Sequence, residues 1–400
     1  MIILIINAGS SSVKYQMFRM PETKPLCSGL AERIGVSGKI THKKFQENDQ
    51  VVVSEELPLQ TYEAAMQAIT RLLTDEVAGV INSTDEVEVV GHRVVHGGET
   101  FARTTIITDE VKAKVQELFA LAPLHNPPNY TGIVEAEKIF KNAIHVGVFD
   151  TAFHQSMPEK AFRYAIPPDL YYGEKIRVYG FHGTSHLYVS HKAAEIMQNP
   201  AAKIVTIHLG NGSSMAAIKH GKSMDTTMGF GPLGGLIMGT RSGDIDPAII
   251  FHLHTEKGYS ANQISQLLNK DSGMLGLTGH SDMRDITKMM HEGNESAKLA
   301  YEMYAYRIKK YIGSYAAVLN GLDAIVFTAG VGENDARVRE LVCEEMEFLG
   351  IHLDKEKNAL RSSEARDVSQ EGAKVRIFII PTNEELEIAE QCYALIKGES

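Results

Sequence analysis

Short apolar runs that end in turns rich in glycine, serine and asparagine alternate along this chain with longer stretches whose apolar residues recur at helical spacing. The short runs predict strands at Ile2–Ile6, Val13–Phe18, Val87–Val90, Ile144–Phe149, Lys203–Leu209, Ser214–Ile218, Ala324–Thr328 and Val375–Ile380. The periodic stretches predict helices at Tyr62–Leu73, Asp109–Ala122, Ser185–Met197, Glu295–Leu319, Asp335–Leu349 and Glu384–Ile396. Tyr301, Tyr304, Tyr311 and Tyr315 fall at helical spacing and read as core or interface packing. This is the pattern of an α/β protein. No apolar run approaches the roughly 20 residues that cross a bilayer. The apolar opening, MIILIINAGSSSVK, lacks the basic segment of a secretory signal and reads as a buried strand.

The 400 residues are too many for one ordinary core, so two domains are expected. No low-complexity linker divides them, and the boundary must come from repetition. Ile3–Lys14 (ILIINAGSSSVK) and Ile204–Met215 (IVTIHLGNGSSM) each read as strand, polar glycine turn, strand. Two such hairpins about half a chain apart suggest duplicated halves. Glycine lets a backbone approach a ligand, and successive N–H groups with serine hydroxyls can cradle phosphate. An ordinary hairpin turn is the simpler explanation of either one alone.

A formal net charge of -10 argues against nucleic-acid and anionic-membrane partners, and it means that an anionic substrate needs a locally basic pocket. Cys27, Cys343 and Cys392 are odd in number and widely separated, which points to thiols in a reducing cytosol rather than a disulfide framework or a zinc site. Gly221-Lys222-Ser223 lacks the upstream glycine of a phosphate-binding P-loop. The string GFGPLG at Gly229–Gly234 carries a proline and opens no clear βαβ unit, so it reads as a loop leading to Met238–Asp244.

Within that loop Arg241 is flanked by glycines, as is Arg93 in GHRVVHGGE just past a strand. An exposed guanidinium in such a loop can fork onto phosphate or carboxylate, although a surface ion pair explains a lone arginine as well. Of the sixteen histidines, His182 and His186 in FHGTSH lack the spacing of a metal site, and a histidine steadying a phosphoryl group fits better. Asp150 follows the strand Ile144–Phe149, where ligand sites of α/β sheets gather; helix capping is the alternative. Glu384 either opens a helix or holds Mg2+, an ion that takes few carboxylates and keeps its waters. Ala324–Thr328 runs into Gly330–Asn334, a glycine turn suited to a nucleotide.

Taken together, Asn7–Lys14 (NAGSSSVK), Gly180–His186 (GFHGTSH), His208–Gly212 (HLGNG), Met238–Pro247, Thr328–Asn334 and Pro381–Glu385 closely resemble the acetate kinase family. The resemblance runs from the first strand to the last helix. It implies the fold of the superfamily of sugar kinases, heat-shock chaperones and actin: two duplicated actin-like (ribonuclease H-like) α/β domains around a nucleotide cleft. Residues 1–150 with 384–400 would form the N-terminal domain, holding the acyl substrate, and 151–383 the nucleotide-binding domain.

The activity implied is reversible, Mg2+-dependent phosphoryl transfer between ATP and acetate, by in-line attack of the carboxylate, giving acetyl phosphate and ADP; Mn2+ can stand in for Mg2+. By the same resemblance Arg93 binds the substrate carboxylate, with Val95, Leu124, Phe181 and Pro232 around the acyl group. Asp150 positions or exchanges a proton, and His182 with Arg241 stabilises the moving phosphoryl group. Asn7 and Glu384 serve Mg2+. Lys14, His208, Leu209, Gly210, Asn211, Gly212, Asp282, Met283, Arg284, Gly330, Val331, Gly332, Glu333 and Asn334 bind nucleotide. A cytoplasmic homodimer is implied, with no membrane or nucleic-acid partner. A propionate or butyrate kinase would use the same chemistry, because one methylene in an apolar pocket discriminates by only about 1–3 kcal/mol. A nucleotide-switched binding protein of the same superfamily would need no arginines at the γ-phosphate.

Overall fold

A computed structural model describes residues 1–47 and 49–398. The chain forms two compact units, Met1–Ala152 with Asn383–Ser400 and Phe153–Thr382.

The first unit is built on eight strands: β1 (Ile2–Ala8), β2 (Ser12–Arg19), β3 (Pro25–Glu32), β4 (Lys39–Phe45), β5 (Gln50–Glu56), β6 (Val89–Val94), β7 (Thr105–Ile106) and β8 (Ile144–Phe149). Their spatial order is β5-β4-β3-β2-β1-β6-β8-β7. The first five form an antiparallel meander, and β6 and β8 continue the sheet parallel to β1. β1 is an unbroken apolar run because both its faces are covered. Leu4 and Ile6 pack with Met66, Ile69 and Leu72 of the helix Tyr62–Leu73, whose start is capped by the Thr61 hydroxyl accepting from the Ala64 N–H at 3.1 Å. On the opposite face lies the last helix, Glu384–Lys397. Gly91 permits this approach: a Cβ there would sit 2.9 Å from Cys392 Sγ and 2.8 Å from Ile5 Cδ1.

The second unit has six strands: β9 (Lys203–Leu209), β10 (Ser213–Lys219), β11 (Lys222–Thr226), β12 (Ala324–Thr328), β13 (Arg366–Asp367) and β14 (Arg376–Ile379). They lie in the order β11-β10-β9-β12-β14-β13. Alternate residues of β9 face opposite ways. Val205 and Ile207 pack with Tyr301, Tyr304, Ile308 and Tyr315 of the long helix Glu295–Leu319, while Ile204 packs with Val189 and Ala193 of the helix Gly183–Met197. Tyr301, Tyr304 and Tyr315 are thus core residues, and Tyr311 packs partly buried beside them.

The repeated hairpins mark a repeated topology. β3-β2-β1 is an antiparallel meander followed by parallel β6 and β8; β11-β10-β9 is an antiparallel meander followed by parallel β12 and β14. The two halves share one order of strands, the mark of a duplicated α/β fold.

Two expectations need correction. The strand expected at Val87–Val90 runs instead over Val89–Val94, because Val87 ends a short 3-10 turn capped by Ser83 and pairing with β1 and β8 carries the strand on through Gly-His-Arg-Val. Arg93 is therefore a strand residue and not part of a glycine-rich loop. The helices expected to end at Ala122 and Leu349 stop at Glu117 and Cys343, and their last turns are separate 3-10 segments.

Candidate functional site

In the first unit, Asn7, Arg93 and Asp150 sit at the carboxyl ends of the parallel strands β1, β6 and β8, the edge where α/β sheets place their ligands. Arg93 donates from Nε to Asp150 Oδ1 at 3.1 Å and from Nη2 to Oδ2 at 2.5 Å, a bidentate pair. Its Nη1 donates to Asn7 Oδ1 at 3.2 Å. Glu384 opens the last helix and brings Oε2 to 4.0 Å from Arg93 Nε. Carboxylates suit that position, the positive end of the helix dipole.

Burial works against every charge here. It pushes the Asp150 carboxyl above the usual aspartate range, against the pull of Arg93 and with the push of Glu384. It pushes Glu384 up as well, again opposed by Arg93. Burial also works against the Arg93 guanidinium, but Asp150 and Glu384 outweigh it and hold Arg93 charged.

Lys14 is placed elsewhere: its Nζ pairs with Glu385 Oε1 at 2.7 Å. The Val95 side chain is buried, and its N–H donates to Asn129 Oδ1 at 2.9 Å. Leu124, by contrast, is 61% exposed.

In the second unit, the helix Gly183–Met197 begins directly after His182, which holds a left-handed backbone at φ 55°. Few side chains tolerate that conformation, and it concentrates at functional positions. His182 stacks on His208 with ring centroids 4.3 Å apart. Arg241 is half-buried, and Nη1 donates to the Pro232 carbonyl at 2.8 Å. The sequence pictured Arg241 as an exposed loop residue, but here the Gly235–Asp244 stretch is clasped. Gly235 N–H donates to Asp244 Oδ1 at 2.6 Å, Tyr311 OH to Asp244 Oδ2 at 2.5 Å, and Arg307 Nη1 to the Gly235 carbonyl at 2.9 Å.

Among the described residues no carboxylate pairs with Arg241, and burial alone lowers its pKa. Gly212 shows where Arg241 and His182 converge. A Cβ at Gly212 would lie 3.4 Å from His182 Nε2 and 3.7 Å from Arg241 Nη1. The missing side chain leaves a small seat edged by a guanidinium and an imidazole, fit for an anion's oxygens.

A cavity of about 950 Å³ lies in the same unit. Of the expected nucleotide residues, Gly210, Asn211, Asp282, Met283, Arg284, Gly330, Val331, Glu333 and Asn334 line it. His208, Leu209, Gly212 and Gly332 do not. His208 turns Nδ1 to the Ser185 hydroxyl at 2.8 Å, and Leu209 is fully buried in the core. Gly332 is buried and gives its carbonyl to Arg339 Nη1 at 2.8 Å. Phe181 is buried, and its carbonyl accepts from His154 Nε2 at 3.0 Å.

Arg339 and Arg366 also line the cavity and were not anticipated. Arg339 is 1% exposed, donates to both oxygens of Asn358, and has its pKa lowered to about 10, chiefly by burial. The signal was present: Arg339 occupies the buried face of its helix together with Val338, Val342 and Cys343, where an apolar residue would be expected.

An acetokinase family model matches residues 2–390. The chain is 54% identical over 397 residues to an acetate kinase of Flavobacterium johnsoniae, covering 99% of this chain and 100% of that one. It is 52% identical over 398 residues to an acetate kinase of Syntrophomonas wolfei, again covering 99% and 100%. Among solved structures, Porphyromonas gingivalis acetate kinase superposes with a TM-score of 0.92 at 45% identity, covering 99% of both chains. A propionate kinase from Francisella tularensis does so at 0.90 and 40%, covering 98% of both. The duplicated strand order, the converging basic groups and these full-length matches carry one conclusion: the chain belongs to the acetokinase family.

Proposed function

We propose that this protein catalyses reversible, Mg2+-dependent transfer of the ATP γ-phosphoryl group to acetate, forming acetyl phosphate and ADP. The observation that carries the reading is the half-buried Arg241 guanidinium. It has no carboxylate partner among the described residues and converges with His182 over the bare Cα of Gly212. A chaperone-like or filament-like nucleotide switch has no need of such a seat.

Acetate is already a nucleophile at neutral pH and needs no general base. Its difficulty is to approach another anion. Arg93 anchors the carboxylate, and Asp150 and Asn7 hold that guanidinium in place. Arg241 and His182 stabilise the equatorial oxygens during in-line transfer. Val95, Leu124, Phe181 and Pro232 are assigned to the acyl group. Gly210, Asn211, Asp282–Arg284 and Gly330–Asn334, all of the second unit, are assigned to the nucleotide.

Asn7 Oδ1 and the Glu384 carboxylate are the oxygens assigned to Mg2+. No group of three or more acidic, histidine or cysteine side chains among the described residues could hold a metal. Mg2+ suits so sparse a set, because it keeps several waters and takes its other ligands from phosphates. When bound, it offsets the charge of the phosphates; Mn2+ can replace it. The chain would act as a cytoplasmic homodimer. The three buried, unpaired cysteines accord with a reducing compartment, and no described helix is long and apolar enough to cross a membrane.

The test is purified protein with ATP, Mg2+ and acetate, trapped with hydroxylamine and read as the hydroxamate. Acetate-dependent hydroxamate supports the reading; none, from folded protein that binds ATP, removes it. Comparing kcat/KM for acetate, propionate and butyrate fixes the chain length.

A further inference from the structure

A line of buried hydroxyl and imidazole groups leads away from His182. Its Nδ1 lies 2.9 Å from Ser214 Oγ. The same oxygen lies 2.8 Å from His186 Nε2. His186 Nδ1, on the far side of its ring, lies 2.7 Å from Thr206 Oγ1. His186, Thr206 and Ser214 are each 0% exposed. The elements set this line. Ser214 on β10 pairs with His208 on β9, two residues beyond Thr206, and His186 is one turn along the helix that His182 opens.

Each hydroxyl has one hydrogen, and each neutral imidazole has one N–H and one acceptor nitrogen. Distances alone permit two directions of donation. Thr206 decides between them. His186 Nδ1 is the only hydrogen-bond partner of its hydroxyl among the described residues. If Thr206 accepted, its own hydrogen would be buried without a partner, which costs about 1–3 kcal/mol. Thr206 therefore donates to His186 Nδ1. His186 then carries its proton on Nε2 and donates to Ser214 Oγ. The Ser214 hydrogen is left to donate to His182 Nδ1, and the His182 proton must sit on Nε2, the nitrogen nearest Gly212.

We propose that Thr206, His186 and Ser214 are positioning residues that fix the tautomer of His182, so that an Nε2–H donor and not a lone pair faces the anion seat between His182 and Arg241. The reverse polarity would aim a lone pair at a phosphoryl oxygen. The catalytic meaning of this tautomer rests on the phosphoryl-transfer reading; the tautomer itself does not.

The test reads ring nitrogens directly. Protein labelled with 15N-histidine is recorded by long-range 1H–15N correlation at neutral pH, with His182→Gln and His186→Gln samples to assign the signals. The expected result is the Nε2–H tautomer for both His182 and His186. The Nδ1–H form at His182 overturns the proposal, whether or not the protein makes acyl phosphate. In Ser214→Ala, His182 should become a mixture of tautomers, and kcat should fall roughly tenfold while the KM for ATP holds. An unchanged His182 spectrum in that variant also overturns it.

Discussion

Arg93 grips both carboxylate oxygens of Asp150 from the end of the neighbouring parallel strand, so each ion is the other's answer to burial. Removing one partner leaves the other charged and largely out of water. Arg93→Ala should therefore cost about 3–5 kcal/mol at neutral pH, measured by urea unfolding. The deficit should narrow as pH falls and the stranded carboxyl takes up a proton. Arg93→Ala with Asp150→Ala should recover most of the loss. A double-variant loss equal to the sum of the two single losses would show that the pair is not coupled. The KM for acetate should rise in both.

Arg241→Ala should lower kcat by about 10²–10³, the cost of removing one preorganised donor to a developing oxyanion. The KM for ATP should change little, because the nucleotide cavity is lined by other residues. Stability should hold, since no carboxylate among the described residues loses a partner. Steady-state kinetics beside a thermal melt checks both statements.

Gly212→Ala should act through one methyl group. Its Cβ would enter the space beside His182 Nε2 and Arg241 Nη1. We expect kcat to fall at least tenfold with Tm near that of the parent. A variant as active as the parent would move the phosphoryl group elsewhere.

Acid should destabilise the second unit through its buried histidines. Burial holds His154 down at about 4, from an ordinary value of 6.5, and pushes His186 well below that value. A histidine with a depressed folded pKa binds its proton more readily when unfolded. The stability it contributes is thus complete above about pH 6.5 and is lost as pH falls from there toward 4 for His154, at about 1.4 kcal/mol per pH unit and per such histidine. Urea midpoints taken from pH 7.5 to 4.5 should fall along this slope. His154→Asn should be less stable at pH 7.5 but flatter in its response.

The strands legible in the sequence were those buried on both faces, such as β1, β9 and β12, where apolar residues run without interruption. β3, β4 and β5 escaped because little of each is buried: β3 buries only Cys27 and Ala31, β4 only Ile40 and His42, and no residue of β5 is fully buried. The helix Asn126–Ile139 was hidden by the prolines in its first turn, a position where proline is tolerated but which reads as a break. In the site, glycine turns betrayed the ligand-facing backbone. Arg339 stood out only by its place on the apolar face of its helix and Arg366 not at all, because their positions depend on Gly332, Asn358 and Ser362 arriving from separate segments. The clasp of Asp244 by Tyr311 was illegible for the same reason.

The last helix, Glu384–Lys397, covers one face of the sheet that the first strand begins, and it delivers Glu384 to Arg93. On the ribosome those residues follow every segment of the second unit, so that unit can fold while synthesis continues. The first unit cannot: its sheet keeps an apolar face uncovered until the helix Glu384–Lys397 has emerged. The strand Ile2–Ala8 thus waits through the whole synthesis of the second unit to be sealed, and a nascent chain stalled just before residue 384 displays a sticky, half-built sheet that chaperones and proteases can recognise.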